Sequence, residues 1–242
     1  MKTTTTRHIA GAGLLVATAA ALGLAAPLAG AAASPKPDLT AVKARCHAAI
    51  SERETTLTSL EATVAASTHL TAADKSTLTG QLQSAASGLS GLGSTIDADT
   101  TLRQTLSDCK RIVSDYRVYL LLAPRTHLVI ATDRGLAATA AATQAEPKVD
   151  AAISDATAAG VPAAQIADAQ ARNTDLKAKV ADATGQLSGL ADQLVALTPA
   201  QYDAGTAGPV LAGARTHLQA TVADVKAARA DLVAIRHDLT TR

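Results

Sequence analysis

Apolar residues recur along most of this chain at alternating steps of three and four, the spacing that keeps one face of a helix apolar. From Asp38, placed as a cap, the sequence presents Leu39, Val42, Cys46, Ile50, Leu57, Leu60 and Val64 on one such face. Thr71-Ala-Ala-Asp74 has the form of a capping box. It opens a second helix with the stripe Leu78, Leu82, Ala85, Leu89, Leu92 and Ile96, weakened at its end by Gly91 and Gly93. A third helix, from about Thr100, presents Leu102, Leu106, Cys109, Val113 and Tyr116. Asp97 and Asp99 just before it suit caps better than a catalytic pair.

The period is lost between Ser114 and Gly135. Two dense apolar runs, Val118 to Ala123 and Leu128 to Ala131, flank a Pro-Arg-Thr-His joint. Pro124 disfavours helical geometry at the preceding residue and has no amide to donate. Val118 to Ala123 is therefore expected as an extended connector, with a fourth helix starting at Arg125. A β-hairpin across Pro124 to His127 is the alternative, because short apolar runs cannot be assigned by period alone.

The helical period then returns. The fourth helix is expected to continue to about Ala159 with a kink at Pro147, and Gly160 and Pro162 form a stop and a start. The fifth carries the most regular stripe: Ile166, Ala169, Asn173, Leu176, Val180, Ala183, Leu187, Leu190, Leu194 and Leu197. Thr198-Pro-Ala-Gln201 caps a new turn. After glycines at 205 and 208, a last helix shows Leu211, Ala214, Leu218, Thr221, Val225, Ala228, Leu232, Ile235 and Leu239. Asn173, the one asparagine of the chain, falls on a seam, either fixing register or lying at an exposed edge.

Six helices follow, three on each side of the aperiodic stretch, and short connections make sequential helices antiparallel. The expected fold class is all-α: an elongated antiparallel helical bundle or coiled coil. It divides into a three-helix unit over 38–117, a short non-helical apolar connector over 118–124, and a second three-helix unit over 125–242.

Ahead of these helices, residues 1–33 read as an export signal. Lys2 and Arg7 precede an uncharged apolar stretch, and Ala31-Ala-Ala33 offers a small-residue cleavage site. Residues 34–37, with two prolines, form a linker. No cysteine follows the cleavage site, so a lipid anchor is not expected; an uncleaved segment would instead anchor the chain in a membrane. The expected location is secreted or extracytoplasmic, at the cell envelope.

Export also changes the charge. The chain has 22 basic and 21 acidic residues. Removing Lys2 and Arg7 leaves 20 basic residues and a formal charge of −1, which provides no electrostatic footprint for nucleic acid or an anionic membrane. Tryptophan and phenylalanine are absent, which is poor material for a deep small-molecule site. Roughly a quarter of the residues are alanine, the residue of highest helix propensity and one that lets helices approach closely.

The two cysteines of an exported chain invite a disulfide. In an up-down-up unit the first and third helices are parallel. Cys46 lies about two turns into one and Cys109 about two and a half turns into the other, both on the apolar stripe. They are expected at similar height and facing each other, as a bridge requires.

Little else points to chemistry. Cys46 and His47 project about 100° apart and cannot converge on one ion. The remaining histidines show no metal-ligand spacing, and the glycines over 205–213 lack the lysine and hydroxyl of a phosphate loop. No catalytic residue, cofactor or metal is expected. The candidate interaction patch is Tyr116, Tyr119, Leu121, Leu128 and Ile130, rimmed by Asp115, Arg117, Asp133 and Arg134. The competing reading is that these apolar runs fill a junction between the two units.

The export signal, the alanine-rich helices and the segment Asp115-Tyr-Arg-Val-Tyr119, followed by Pro124 and Thr132-Asp-Arg134, resemble the uncharacterised secreted coiled-coil proteins of high-GC actinobacteria. The resemblance implies compartment and architecture, with no activity to carry over. The paired three-helix layout is also geometrically similar to spectrin repeats. The expected function is a non-enzymatic scaffold, spacer or interaction module acting on a protein partner or envelope component, with homo-oligomerisation open. An extracytoplasmic chaperone or lipid-surface binder using 118–131 is the alternative.

Overall fold

The computed structural model describes residues 38–240, so the expected signal and linker lie outside the described residues. All regular elements among the described residues are helical. They are α1 (Leu39–Ala66), α2 (Ala72–Ala98), α3 (Leu102–Ser114), a π-helical turn (Val118–Leu122), α4 (Ala123–Ala158), α5 (Ala163–Leu187), α6 (Leu190–Val195), α7 (Pro199–Asp203) and α8 (Ala207–Thr240). The expected all-α helical bundle is what the chain forms.

The stripes of α1 and α2 are buried as their period dictates, from Val42 to Val64 and from Leu78 to Ile96. Thr71 caps α2 by accepting a hydrogen bond from the Asp74 amide at 3.0 Å. Helix α3 differs from expectation. Its buried positions are Thr105 and Ile112, while Leu106 and Val113 are 44% and 42% exposed. Leu102, Cys109 and Tyr116 of the expected stripe do pack against the core, but between them packing selects Thr105 and Ile112 rather than Leu106 and Val113, one residue over. Thr105 tolerates burial because its hydroxyl donates to the Thr101 carbonyl at 3.2 Å. The cap is Thr101, which accepts from the Gln104 amide. Asp97 instead meets His47 at 2.7 Å, and the carbonyls of Asp97 and Asp99 accept from Lys43.

Cys46 and Cys109 form the expected disulfide, their Cα atoms 5.6 Å apart across 63 residues of sequence. Such a bridge fits an extracytoplasmic location. Among the described residues no helix is long and apolar enough to cross a membrane.

The extended connector expected over 118–124 is helical. Residues 118–122 form a π-helical turn that runs directly into α4, with Pro124 at the second position of that helix. Pro124 cannot donate to the carbonyl four residues back, and a widened turn accommodates the ring without ending the helix. Helix α4 likewise runs through Pro147.

The unbroken fifth helix expected from Ile166 to Leu197 is also corrected. Helix α5 ends at Leu187, Gly189 adopts φ 69°, and α6 resumes. The apolar stripe nevertheless stays buried across the break, through Leu187, Leu190, Leu194 and Leu197. Asn173 is buried on the seam and donates to Asp150 Oδ1 across to α4 at 2.6 Å.

Two hydrophobic clusters result. The larger joins α1, α2, Ile112 of α3, the π-turn and the start of α4 to the end of α5, α6 and the start of α8. The smaller lies between the distal parts of α4, α5 and α8, around Ile153, Leu176, Val180 and Ile235. Core packing therefore crosses residues 118–124, and the described residues 38–240 group as one compact unit.

Candidate interaction site at the junction

The stretch without period sits where α1 and α2 meet α4, α6 and the start of α8. Its geometry begins at Arg117, which has φ 45° and ψ 38°, the one non-glycine residue with positive φ among the described residues. That conformation costs roughly 1–2 kcal/mol for a residue with a Cβ. Two contacts hold it. Arg117 Nε donates to Asp203 Oδ1 at 2.8 Å, and the guanidinium lies 5.6 Å from the centre of the Tyr202 ring. Both partners belong to α7, so the capping box of Thr198 and Gln201 that builds this short helix also positions the clamp.

About two turns on, Arg125 is buried, with 2% of its surface exposed. It is held by a fork: Nη1 donates to the Leu197 carbonyl at 2.5 Å and Nη2 to Gln81 Oε1 at 2.6 Å. Gln81 Nε2 in turn donates to the Val195 carbonyl at 2.9 Å. Helices α2, α4 and the segment after α6 are thereby linked through one guanidinium. No carboxylate pairs with it within 4 Å among the described residues, and burial pushes its pKa down to about 10. A hollow of about 290 Å³ adjoins it, lined by Ser84, Tyr116, Arg125 and Pro199 among others.

Asp133, 4% exposed, lies two turns further along α4 and accepts from the Thr71 amide at 3.0 Å. Burial raises its pKa, the Thr71 hydrogen bond lowers it, and the nearby carboxylates Asp74 and Asp192 raise it again. Tyr116 packs against Gly88 so closely that a Cβ there would stand 2.7 Å from the ring and its hydroxyl. Burial, followed by the Asp115 charge, raises the Tyr116 pKa.

The five candidate patch residues do not form one exposed surface. Leu121 and Leu128 are buried in the larger cluster, and Tyr116 and Ile130 are half-buried against it. Tyr119 alone is exposed, at 42%; the Arg53 guanidinium lies 5.0 Å from its ring centre. The π-turn directs Val118, Leu121 and Leu122 inward and leaves Tyr119 with Leu120 outside. Of the rim, Asp133 is buried and Arg117 is bound to Asp203, so neither borders a patch as the sequence led us to expect.

Sequence reasoning missed the roles of Arg125, Gln81 and Leu120. Arg125 reads as an ordinary surface charge after a proline, and only its place inside two dense apolar runs was available as a signal. Among the described residues no group of three metal-ligating side chains converges. Comparison with protein-family models, curated proteins and solved structures finds no match for this chain.

Proposed function

We propose that the protein is an exported, non-enzymatic helical scaffold or spacer of the cell envelope or extracellular space, presenting long helix faces to a protein or envelope partner. The observation that carries this reading is the cross-braced junction. A disulfide ties α1 to α3, and the Arg125 fork ties α4 to α2 and to the segment after α6. Such fixing suits a part that transmits position. Helices α4 and α8, of 36 and 34 residues, would extend roughly 54 and 51 Å at 1.5 Å per residue, which supports an elongated, coiled-coil-like arrangement. The chaperone or lipid-surface reading requires the apolar runs of 118–131 to be exposed, and burial of Val118, Leu121 and Val129 weighs against it.

Cell fractionation combined with thiol alkylation tests the proposal. The expected result is a chain outside the cytoplasm, starting near Ser34, with neither cysteine alkylated before reduction, and with site-specific crosslinks to an envelope component. Cytoplasmic retention with two alkylated thiols would sink it.

A further inference from the structure

Around the smaller core, α5 packs closely along α8, while α4 meets α8 thinly. Asp150 of α4 and Asp224, Asp231 and Asp238 of α8 turn toward α5. Asp150 pairs with Lys177 at 2.7 Å, Asp231 with Lys179 at 2.7 Å and Asp238 with Arg172 at 3.3 Å, and Asp224 accepts from Gln186 at 3.1 Å. The opposite side, between α4 and α8, is an apolar groove.

The groove has two continuous parts. A narrow slot of about 120 Å³ is lined by Ala138, Ala142, Val225 and Ala228, with Arg229 at its edge. It passes into a wider hollow of about 470 Å³ lined by Ala152, Ala156, Ile235 and Leu239. Ala145, Val149 and Leu232 line both. From Ala138 to Ala156 the floor runs roughly 27 Å along α4 at 1.5 Å per residue. The gap exists because alanines stand where leucines would close α4 onto α8.

Its outer rim is basic. Lys148 from α4 and Arg236 from α8 both line the wider hollow, and Arg229 stands two turns before Arg236. None of the three has an acidic partner within 4 Å among the described residues. Glu146 also lines the slot. At 100° per residue it shares the α5-facing seam of α4 with the buried Thr139 and Ile153, away from that rim.

We propose that this groove binds one long-chain fatty acid, its acyl chain lying along the alanine floor between α4 and α8 and its carboxylate held between Lys148 and Arg236. The length suits a single chain: from Lys148 back to Ala138 is roughly 15 Å at 1.5 Å per residue, about the hydrocarbon depth of one leaflet, half of the ~30 Å bilayer core. The width selects against other occupants. A helix about 10 Å across does not enter a slot of this volume, and a two-chain phospholipid would leave one chain in water. The basic rim supplies the complement of a carboxylate, and an unpaired cation pair is the feature a neutral lipid would not use.

The test is fluorescence titration of the full chain, stripped of bound lipid, with a conjugated polyene fatty acid. Competition by palmitate and by hexadecanol follows, and circular dichroism checks the fold of each variant. Saturable binding at one site per chain is expected, with palmitate displacing the probe at least tenfold more effectively than hexadecanol. Ala145→Trp, at an exposed position common to both parts of the groove, should abolish binding with the helical content unchanged. Lys148→Glu with Arg236→Glu should weaken binding at least tenfold. The proposal is overturned if the wild-type chain shows no saturable binding, if binding survives both variants, or if palmitate and hexadecanol compete equally. It is also overturned if light scattering shows a dimer that Ala145→Trp dissociates, which would make a second copy the occupant. Flotation with anionic phospholipid vesicles without fatty-acid binding would likewise overturn it, assigning the basic rim to a membrane surface.

Discussion

Arg125 Nη2 and Gln81 Oε1 are 2.6 Å apart, 44 residues distant in sequence, and the contact lies beside the larger cluster, where α1 and α2 pack with α4, α6 and the start of α8. The guanidinium is charged, nearly fully buried and without a carboxylate partner, so its hydrogen bonds to Gln81 and Leu197 offset the loss of water. Arg125→Ala should cost about 3 kcal/mol, because it leaves buried acceptors unpaired and opens a cavity. Arg125→Lys should cost about 1–2 kcal/mol, since a single ammonium cannot reproduce the fork. Urea unfolding midpoints give both values, and equal stability of all three proteins would remove the fork from the account.

The disulfide should be worth about 4 kcal/mol, the loop-closure estimate for a segment of this length. Reduction, or replacement of Cys46 and Cys109 together by alanine, is expected to lower the urea midpoint by the corresponding amount without changing helical content in water. A loss below about 1 kcal/mol would mean that residual structure already confines the unfolded chain between these positions.

Stability should vary with pH through Asp133. Its folded-state pKa lies above the ordinary value of 3.8, chiefly through burial, so the folded chain holds that proton more tightly than the unfolded chain. The stabilising contribution of the protonated form is complete below the unfolded value and is lost as pH rises through the raised folded value. Asp133→Asn keeps an oxygen to accept from Thr71 and carries no charge. Its melting temperature should exceed that of the parent at pH 7 and converge on it below about pH 4. A variant less stable than the parent at pH 7 would show that the Thr71 contact requires a carboxylate.

The two sides of the π-turn should respond unequally to charge. Leu121 is fully buried and Leu120 is 46% exposed. Leu121→Asp places an unpaired carboxylate in the larger cluster and should cost more than about 3 kcal/mol. Leu120→Asp should stay within about 0.5 kcal/mol, as for an ordinary surface substitution. Thermal melts of the two variants decide this, and similar losses in both would place Leu120 in a packed environment.

The sequence by itself determined the helices and most of their buried faces. The stripes from Val42 to Val64, Leu78 to Ile96 and Ile166 to Leu187 are read directly, because a period near 3.6 has one apolar face and that face must leave water. It also determined the Cys46–Cys109 bridge, since helix rise and antiparallel order set their relative heights. Period does not choose between adjacent registers, which is why α3 turned Leu106 outward and Ile112 inward only through packing. Nor does it carry information across a proline, so the tertiary structure decided that 118–122 is a π-turn and that Leu121 belongs to the core. Arg125, Gln81 and Leu197 are joined because helices distant in sequence meet, and the fatty-acid groove exists because α4 and α8 stand apart. Both depend on the spacing between helices, a quantity that no single stripe encodes.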